Sequence, residues 1–486
     1  MTQPTVTIIG AGFTGTLLSL SLQAIAPAGT RIRLIEGTGH FAAGPAYATA
    51  NPNHLLNAPA GRMSAFADQP MHFVEWLQRQ PKSRLPEIVT NEATFVPRSL
   101  YGAYLRYLLE RGLRRQYVCR LDLVDDHVTG IEELPNRVTL LTGSGTVLSA
   151  DLAVLAVGLP RSAAFHPEIP VLEAAGFWQR DPWAPSLHTA LDPAAPVLLV
   201  GSGLTMVDTV ISLLDAGHIG PIHAISRHGL LPQRHSTAPL APVALQPLPN
   251  GLLPLVRFIR NEAARAADWR PVIDALRPII PDLWRGFSER EQHQFIRHLR
   301  AWWDVYRHRM APQIADRMAV AQVSGQFQLR AGHIIGMAVD NGVATVTIRS
   351  RAGNDQLTVA RIVDCTGYGC DISRNTTLLL RKLFRSGLAK PDRLRLGLDV
   401  TEQGALISAA GVASERVFAV GPLTRGNVWE LTAVPELRRQ CVATARVLSH
   451  RLTRMAQNNK PADDIAPWLL RFRETTTRAN KGHGVN

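Results

Sequence analysis

The chain has 486 residues, of which 46% are hydrophobic, and its formal net charge is +13. This length is sufficient for two or three domains with ample cores, and the composition is that of an ordinary globular enzyme. The basic residues are scattered, without a Lys/Arg block interleaved with aromatic residues, so we expect a basic surface and neither a nucleic-acid nor a membrane partner.

The first predicted elements are a strand, a glycine turn and a helix. The apolar run 5–9 leads into Gly10-Ala11-Gly12-Phe13-Thr14-Gly15, and an apolar stretch of helical length follows at 17–25. In this context the first glycine permits a tight turn, the second lets N–H groups approach a pyrophosphate, and the third lets the helix lie close to the strand. The next strand, 31–36, ends in a carboxylate suited to a free ribose 2′-OH, which favours FAD. The predicted FAD contacts here are Gly10, Gly12, Phe13, Thr14, Gly15 and Glu36.

A loop and two helices are predicted next. Residues 44–59 are rich in Gly, Pro and Asn, and we expect them to form a loop against the cofactor. Residues 73–77 predict a short helix, and a longer helix opens at 97–101 with Ser99 as its N-cap. Gly44 and Arg98 are predicted cofactor contacts.

The chain then alternates between strands and turns. Residues 117–149 predict a β-meander, and 152–157 predict a buried strand that ends at Gly158, another predicted cofactor contact. The Pro-rich residues 159–196 predict a linker.

The glycine turn then occurs a second time. The run 196–200 leads into Gly201-Ser202-Gly203-Leu204-Thr205-Met206, and a second helical stretch follows at 207–214. Met206 replaces the third glycine, so we expect this helix to stand slightly further from its strand. A shift of 191 residues, the distance from Gly10 to Gly201, places Arg227 where the first copy has Glu36. A cation there is suited to a 2′-phosphate, which favours NADPH; the alternative is one genuine site and one chance glycine turn. The predicted NADPH contacts are Gly201, Ser202, Gly203, Leu204, Thr205 and Arg227.

The middle of the second domain has a different character. Prolines are frequent over 232–254, where regular structure is not expected, and the pattern is helical over 255–320. We interpret the latter as a helical insertion that forms either a substrate lid or a structural excursion packing the domain. Residues 326–362 again predict short strands.

The last part of the chain is predicted to return to the nucleotide-binding sheets. One strand over 361–366 ends at Gly367, another over 417–420 ends at Gly421-Pro422, and a helix from Pro435 to Leu452 points its N-terminus beyond Gly421. Gly367, Gly421 and Pro422 are the remaining predicted cofactor contacts.

The predicted fold class is therefore α/β, with two Rossmann-like dinucleotide-binding domains, β-meanders and a helical insertion. The predicted divisions are an FAD-binding part at 1–190, an NADPH-binding domain at 191–362, a return to the FAD-binding domain at 363–455 and a basic tail at 456–486.

The order of these motifs resembles that of the two-dinucleotide-binding-domain flavoproteins, and in particular class B flavin monooxygenases, over about residues 5–450. The resemblance is carried by the two glycine turns, by Cys-Thr-Gly-Tyr at 365–368 and by Val-Gly-Pro at 420–422. The chain is most similar to a bacterial family of FAD/NAD(P)-binding proteins. Its members share stretches like Gly-Pro-Ala-Tyr at 44–47, Asn-Ala-Pro-Ala-Gly-Arg-Met-Ser at 57–64 and Trp-Glu-Leu-Thr-Ala-Val-Pro-Glu-Leu-Arg at 429–438.

One local similarity bears on catalysis. The segment 56–70 is similar to one of flavin-containing monooxygenases in which an asparagine amide beside the flavin helps to hold the oxygenated cofactor. The resemblance implies that role for Asn57; the alternative is a loop asparagine that satisfies backbone groups. The monooxygenase marker that begins Phe-x-Gly and runs through His to Trp or Tyr is absent, since Phe177-Trp178…Trp183 lacks the glycine and the histidine. Its absence argues against a Baeyer–Villiger reaction and weakens the monooxygenase assignment.

The resemblance implies an FAD-dependent monooxygenase that consumes NADPH and O2. Such an enzyme oxygenates nitrogen, sulfur or carbon of a small molecule through a flavin C4a-adduct. The second hypothesis is an NADPH-dependent flavin oxidoreductase without oxygen insertion. The third is a flavin-binding sensor or scaffold. The presence of Arg227 makes this hypothesis less favoured, because a scaffold does not need to recognise NADPH. The substrate and the oligomeric state are left open.

The four cysteines, Cys119, Cys365, Cys370 and Cys441, include no CxxC pair. This spacing predicts neither a disulfide framework nor a metal site, and it argues against a disulfide reductase. The sequence has no run of about 18 apolar residues and no signal-peptide pattern, so the expected location is the cytoplasm.

Overall fold

Two parallel β-sheets, each carrying one glycine turn, organise the computed structural model. The structure describes residues 3–458 except 82, 84–88, 116–117, 162–163, 239, 341, 370 and 375–376. The described strands are β1 (Thr5–Ile9), β2 (Arg31–Glu36), β3 (Arg120–Asp125), β4 (Val128–Leu134), β5 (Arg137–Thr142), β6 (Val147–Ala150), β7 (Leu152–Leu155), β8 (Trp178–Gln179), β9 (Val197–Val200), β10 (Ile222–Ser226), β11 (Phe327–Ala331), β12 (His333–Asp340), β13 (Val343–Ser350), β14 (Gly353–Val359), β15 (Arg361–Asp364), β16 (Ala405–Ile407) and β17 (Ala413–Ala419).

The described α-helices connect and cover these strands. They are α1 (Phe13–Ile25), α2 (Gly44–Tyr47), α3 (His72–Gln78), α4 (Arg98–Arg114), α5 (Ile169–Ala174), α6 (Leu204–Asp215), α7 (Leu252–Arg265), α8 (Arg270–Leu276), α9 (Ile280–Gly286), α10 (Glu289–Gln294), α11 (Arg300–Arg307), α12 (Pro312–Val323), α13 (Leu378–Ser386) and α14 (Val434–Asn458). A π-helical turn, Phe295–Leu299, joins α10 to α11.

The first sheet has the strand order β16-β17-β7-β1-β2-β3. Its strands pair in parallel except for the antiparallel edge strand β16. All five residues of β1 are buried, as expected for a central strand with both faces covered. Helices α1, α4 and α14 contribute to the core on one face, and α13 with the antiparallel sheet β4-β5-β6 covers the other.

The second sheet has the strand order β11-β10-β9-β15-β8, and all of its pairs are parallel. Helices α6 and α12 pack on one face, and α5 with the antiparallel sheet β12-β13-β14 packs on the other. Each parallel sheet is thus covered on both faces, and the α/β class with two Rossmann-like units is confirmed.

Helices α7 to α11 form the predicted insertion and have a core of their own. This core is built on Val272, Leu276, Ile280 and Trp284, and residues from near the end of the chain, Trp429 among them, complete it. The insertion therefore packs against the segment that joins the first sheet to α14.

Several sequence predictions need correction in detail. Ser99 is not an N-cap, because α4 begins one residue earlier, after Pro97, and has no side-chain cap. Strand β3 pairs in parallel with β2, so it belongs to the first sheet and not to the meander, which begins at β4. The supposed linker contains helix α5, which places a proline in its first turn, and strand β8.

Some elements of the structure cross the predicted boundaries between the domains. Strand β8 precedes residue 191 but pairs with β15 in the second sheet, and β15 itself ends two residues beyond 362. Helix α12 packs within the core of the second sheet, so the last helix in the 255–320 range is part of that domain's own framework. Most of the predicted tail, from residue 459, lies outside the described residues.

Candidate cofactor sites and the interface between them

The first glycine turn requires glycine at two positions for different physical reasons. Gly10 has a left-handed φ of 99°, and a Cβ there would lie 2.7 Å from the carbonyl oxygen of Ala156. A Cβ at Gly15 would lie only 1.8 Å from the carbonyl oxygen of Gly10. The turn and the start of α1 are therefore pressed together, as the spacing of the motif predicts.

The space above this turn remains open to a ligand. Gly12 is the N-cap of α1, and its added Cβ would meet only the Cα of Gly44, at 3.8 Å. No side chain caps the first N–H groups of the helix. An uncapped helix N-terminus beside two glycines is a cradle for an anion such as a pyrophosphate.

Glu36 lies at the edge of the same turn. One carboxylate oxygen accepts a hydrogen bond from the Ala11 N–H at 3.0 Å, and the other accepts bonds from the backbone and hydroxyl of Thr38. The carboxylate is therefore held beside the glycines at the end of β2, the position at which a ribose would be recognised.

Gly421 and Pro422 approach the same turn from the last strand. Gly421 has a φ of 79°, and a Cβ there would lie 2.9 Å from the Thr14 hydroxyl. Its N–H donates to the side chain of Gln440 at 2.8 Å, and a short 3₁₀ turn over Gly421–Thr424 follows. The structure thus brings Gly421, which Pro422 follows directly, to Thr14 at the start of α1.

The second glycine turn repeats the geometry of the first. Gly201 has a φ of 117°, and a Cβ there would lie 2.3 Å from the carbonyl oxygen of Cys365. Gly203 is the uncapped N-cap of α6, which begins at Leu204 and Thr205, and an added Cβ there would meet nothing within 4 Å. Met206 is fully buried in the core. A Cβ at the matching Gly15 would overlap backbone. The side chain of Met206 therefore requires α6 to lie in a different position relative to its strand from that of α1.

The polar edge of the second turn lies next to Arg227. The Ser202 hydroxyl donates to that of Ser226 at 2.8 Å, which ties the turn to the end of β10. Arg227 follows directly and is exposed, and among the described residues it has no ion-pair partner. Its guanidinium is therefore free to meet a phosphate at this edge.

Gly158 and Gly367 occupy matching positions beside the two turns. Each follows the strand that neighbours its glycine turn, and each has a left-handed φ, of 68° and 75° respectively. An added Cβ would meet nothing within 4 Å at either residue, so the requirement for glycine is conformational.

Arg98 is used in a contact between the two domains. Its guanidinium makes a two-pronged ion pair with Asp208 of α6, at 2.5 and 3.1 Å, and its Nε donates to the carbonyl of Leu55. The Trp183 indole N–H donates to the same carboxylate at 3.3 Å. The predicted contact between Arg98 and a cofactor stays a prediction.

The segment around residues 49–57 makes further contacts with α6. The His54 Nε2 lies 2.8 Å from the Ser212 hydroxyl, and burial lowers the pKa of this imidazole. Asn51 and Asn53 both donate to Asp215. This segment, predicted to line the cofactor, is thus also a polar bridge between the domains. Sequence reasoning missed it, although the polar residues Asp208, Thr209 and Ser212 within the stretch 207–214 were a usable signal.

Asn57 has an exposed side chain, and its carbonyl accepts a hydrogen bond from the His235 Nε2 at 2.9 Å. Burial, with the nearby Arg309 charge, lowers the pKa of His235 to about 4, so this imidazole is neutral near pH 7. His235 lines a cavity of about 1230 Å³, whose wall also includes Arg62 and Asp274. The amide of Asn57 is left available for another partner.

The thiols offer no redox pair within the described residues. Cys119, Cys365 and Cys441 are all buried and free, and burial raises the pKa of Cys365 to about 12. Cys370 lies outside the described residues. Trp178, in the segment 177–183 that lacks the monooxygenase marker, is buried in the second sheet as part of β8.

The described part of the chain shows neither a metal-binding cluster nor a membrane-spanning helix. In the described part of the chain, no group of three His, Cys, Asp or Glu side chains is arranged to hold a metal ion. None of the helices in that part combines the length and apolar character needed to cross a bilayer.

Comparison with known proteins agrees with this geometry. Residues 7–160 match the model of a family described as FAD-NAD(P)-binding, a segment that contains the first glycine turn, Glu36 and Gly158. The expectation of an FAD/NAD(P)-binding flavoprotein architecture is thereby confirmed. No curated protein matches the sequence.

Several solved structures share the fold over nearly the whole chain. The ornithine N-hydroxylase of Kutzneria sp. 744, with reduced FAD, NADP⁺ and L-ornithine, is 15% identical with a TM-score of 0.64; 93% of this chain and 100% of that one are covered. The ornithine hydroxylase of Pseudomonas aeruginosa is 17% identical with a TM-score of 0.62 and the same coverage. The bacillithiol disulfide reductase of Bacillus cereus is 15% identical with a TM-score of 0.50, again with 93% and 100% covered. At these identities the likeness establishes a shared two-domain fold, which serves both oxygenases and reductases.

Proposed function

We propose that this protein is an FAD-dependent, NADPH-consuming monooxygenase that oxygenates a small molecule with O2. The observation that carries the proposal is the repeated cradle. Each glycine turn lies at the carboxyl edge of its own parallel sheet, has a left-handed first glycine and opens an uncapped helix, as a dinucleotide requires. The match to an FAD-NAD(P)-binding family and the fold shared with hydroxylases support it.

The residues at the first turn fit FAD. Gly10, Gly12 and Gly15 would let the pyrophosphate approach the N-terminus of α1, and Gly44 closes over the same space. Glu36 would accept hydrogen bonds from the ribose hydroxyls. Gly421 would bring the end of the first sheet close to the cofactor. When bound, the flavin supplies the redox chemistry, by taking electrons from NADPH and reacting with O2.

The residues at the second turn fit NADPH. Gly201 and Gly203 leave room for its pyrophosphate at the N-terminus of α6. The exposed Arg227, which has no ion-pair partner among the described residues, would bind the 2′-phosphate, with Ser202 and Ser226 fixing the edge beside it.

Asn57 is proposed as a catalytic residue for the oxygenation step. Its side-chain amide is not used by another described residue, while its backbone is held by His235. The amide would donate a hydrogen bond to the reacting edge of the cofactor and thereby help to hold its oxygenated form.

The decisive experiment follows electrons from NADPH. Purified protein should be yellow, and NADPH should bleach it under nitrogen. Under ¹⁸O₂ with substrate, one labelled oxygen atom should appear in the product and the other in water, with little peroxide released. A preparation that cannot be reconstituted with flavin would refute the proposal.

The second candidate is an NADPH-dependent flavin oxidoreductase without oxygen insertion. The missing Phe-x-Gly marker and the shared fold with a disulfide reductase favour it. With a reductase, all of the electrons taken from NADPH would be found in peroxide or in a reduced acceptor. A flavin that NADPH cannot bleach would instead point to a sensor or scaffold.

A further inference from the structure

The helical insertion encloses a second cavity, separate from the one beside His235. It has a volume of about 810 Å³, which is within the usual range for small-molecule sites. Its walls come from α7, α8, α9, α11 and the π-helical turn before α11, and from Trp429 of the segment before α14. We define this space as the insertion cavity.

The lining of the insertion cavity is apolar and strongly aromatic. Eight of the residues that line it are Trp, Phe or Tyr. Within this lining the Trp284 and Trp429 rings stack with centroids 4.9 Å apart, and Phe295 packs edge-on against Trp429 at 5.3 Å. Leu255 and Ile280 of the lining are buried. Such surfaces bind flat or extended apolar molecules.

The mouth of the insertion cavity is marked by large side chains that reach solvent. Trp302 is 46% exposed and Tyr306 is 36% exposed, although both belong to an apolar lining. Exposed aromatic residues around a concave surface are characteristic of a ligand entrance. Arg260 and His298 are exposed at the same lining and supply its polar edge.

Among the described residues that line the insertion cavity, the charged groups offer no counter-ion to a cationic ligand. Of the described residues that line it, none is Asp or Glu, and one, Arg260, is a permanent cation. Two carboxylates lie in the adjoining segment but are already paired. Glu430 is bound by Arg307 at 3.0 Å, and Glu436 by Arg277 at 2.9 Å. An ammonium group would therefore be desolvated here without a free counter-ion.

The insertion cavity is connected to the predicted FAD contacts Gly421 and Pro422 through a short piece of chain. The Trp284 indole N–H donates to the carbonyl of Gly426 at 2.9 Å, five residues after Gly421. Trp429 follows three residues later and forms part of the cavity wall. The chain that closes over the first glycine turn thus continues directly into this wall.

From these observations we infer that the insertion cavity is the substrate site. Its substrate is a ring-containing apolar molecule, neutral or carrying one acidic group placed at Arg260, and not a basic amino acid. That the ligand is a substrate rests on the proposed function, but that the insertion cavity binds this class of ligand does not. The insertion is then a substrate domain and not only a structural excursion.

The test uses two fluorescent probes that share a frame of aromatic rings. N-Phenyl-1-naphthylamine is neutral, and 8-anilinonaphthalene-1-sulfonate adds one anionic group. FAD-loaded protein should bind one equivalent of each probe. Ala263→Trp fills the cavity from α7 and should weaken both probes at least tenfold. Leu253→Trp, at an exposed position on the same helix outside the lining, is the matched control and should leave both affinities unchanged.

A second variant keeps the test decisive if Ala263→Trp does not fold. Arg260→Ala, at an exposed position, should weaken the sulfonate probe by about tenfold and leave the neutral probe unchanged, and L-ornithine should displace neither. Equal binding by wild type and Ala263→Trp, equal losses in Leu253→Trp, or displacement by L-ornithine would overturn the inference.

The link to catalysis has its own readout. The neutral probe should change the rate of NADPH oxidation at least twofold in wild type and Leu253→Trp, but not in Ala263→Trp. Cavity-specific binding with no effect on that rate would refute the substrate role. A protein that binds the probes but whose flavin NADPH cannot bleach would instead refute the proposed monooxygenase.

Discussion

The ion pair between Arg98 and Asp208 provides the sharpest test of what holds the two domains together. The Arg98 side chain is 14% exposed and that of Asp208 is 8% exposed, so both charges are largely removed from water. Replacing Arg98 with Met preserves the aliphatic length of the side chain but leaves the Asp208 carboxylate without its cation. We expect this change to destabilise the native state.

The magnitude follows from the burial of the carboxylate that remains. Breaking a buried pair from one side typically costs about 3–5 kcal/mol. The Trp183 N–H still donates to Asp208, and both side chains retain some contact with solvent, so the expected loss is about 2–4 kcal/mol. Asp208→Asn added to Arg98→Met removes the orphaned charge and should recover about half of that loss.

Urea unfolding of the four proteins in this cycle measures the coupling between the two residues. We expect a coupling free energy above about 1 kcal/mol, as is usual for residues in direct contact. The dissociation constant of FAD, measured for Arg98→Met, separates this interface role from the predicted cofactor contact: a value within about threefold of wild type would leave Arg98 with the Asp208 pair alone.

The opposite pattern would support the original sequence prediction for Arg98. A charge-assisted hydrogen bond to a cofactor is worth about 1.5–3 kcal/mol, so its loss would weaken FAD binding by roughly 10- to 150-fold. If Arg98→Met caused such a loss while Asp208→Asn did not, and the cycle showed no coupling, then Arg98 would be a cofactor ligand and our account of the interface would be wrong.

Three further predictions concern the cofactor sites. Arg227→Ala should raise the KM for NADPH by roughly 10- to 150-fold and leave that for NADH nearly unchanged, because the lost contact is worth about 1.5–3 kcal/mol; equal changes in steady-state assays would contradict phosphate recognition. Asn57→Ala should increase the peroxide released per NADPH oxidised without slowing anaerobic flavin reduction, whereas Asn53→Ala, which loses a bond to Asp215, should not; equal peroxide yields would remove Asn57 from catalysis. Gly15→Ala should abolish retention of FAD during purification, because its Cβ would overlap the Gly10 carbonyl, whereas Gly286→Ala, where an added Cβ meets nothing within 4 Å, should retain it; a Gly15→Ala protein with full flavin content would show that the turn can relax.

The parts of the fold that could be predicted from sequence are those fixed by local geometry. Gly10 and Gly201 each need a left-handed backbone pressed against the next strand, and only glycine satisfies that need, so the pattern was visible twice. The start of α4 was less accessible, because the first residue of a helix depends on competing first-turn interactions. Ser99 had the chemistry of an N-cap, but Pro97 occupies that position and the helix begins at Arg98.

The contacts across the domain interface could not be predicted in the same way, because their partners are more than 100 residues apart in sequence. His54 meets Ser212, and Arg98 meets Asp208, only after both sheets have formed. The same holds for the insertion cavity, which needs Trp429 from beyond the return of the chain to the first sheet. Periodicity showed that the insertion was helical, but not which of its faces enclosed a space.

Asp208 nevertheless shows how far a sequence argument can reach toward such a contact. A carboxylate within the apolar stretch of a Rossmann helix must either break the buried face or find a cation there. The requirement for a partner could therefore be stated from the sequence, even though the partner could not be named. Arginine is the side chain best able to meet a buried carboxylate with two parallel hydrogen bonds, which restricts the candidates to arginines such as Arg98. A buried charge in an apolar run is thus evidence of an interface as well as of a site, and the double-mutant cycle distinguishes the two.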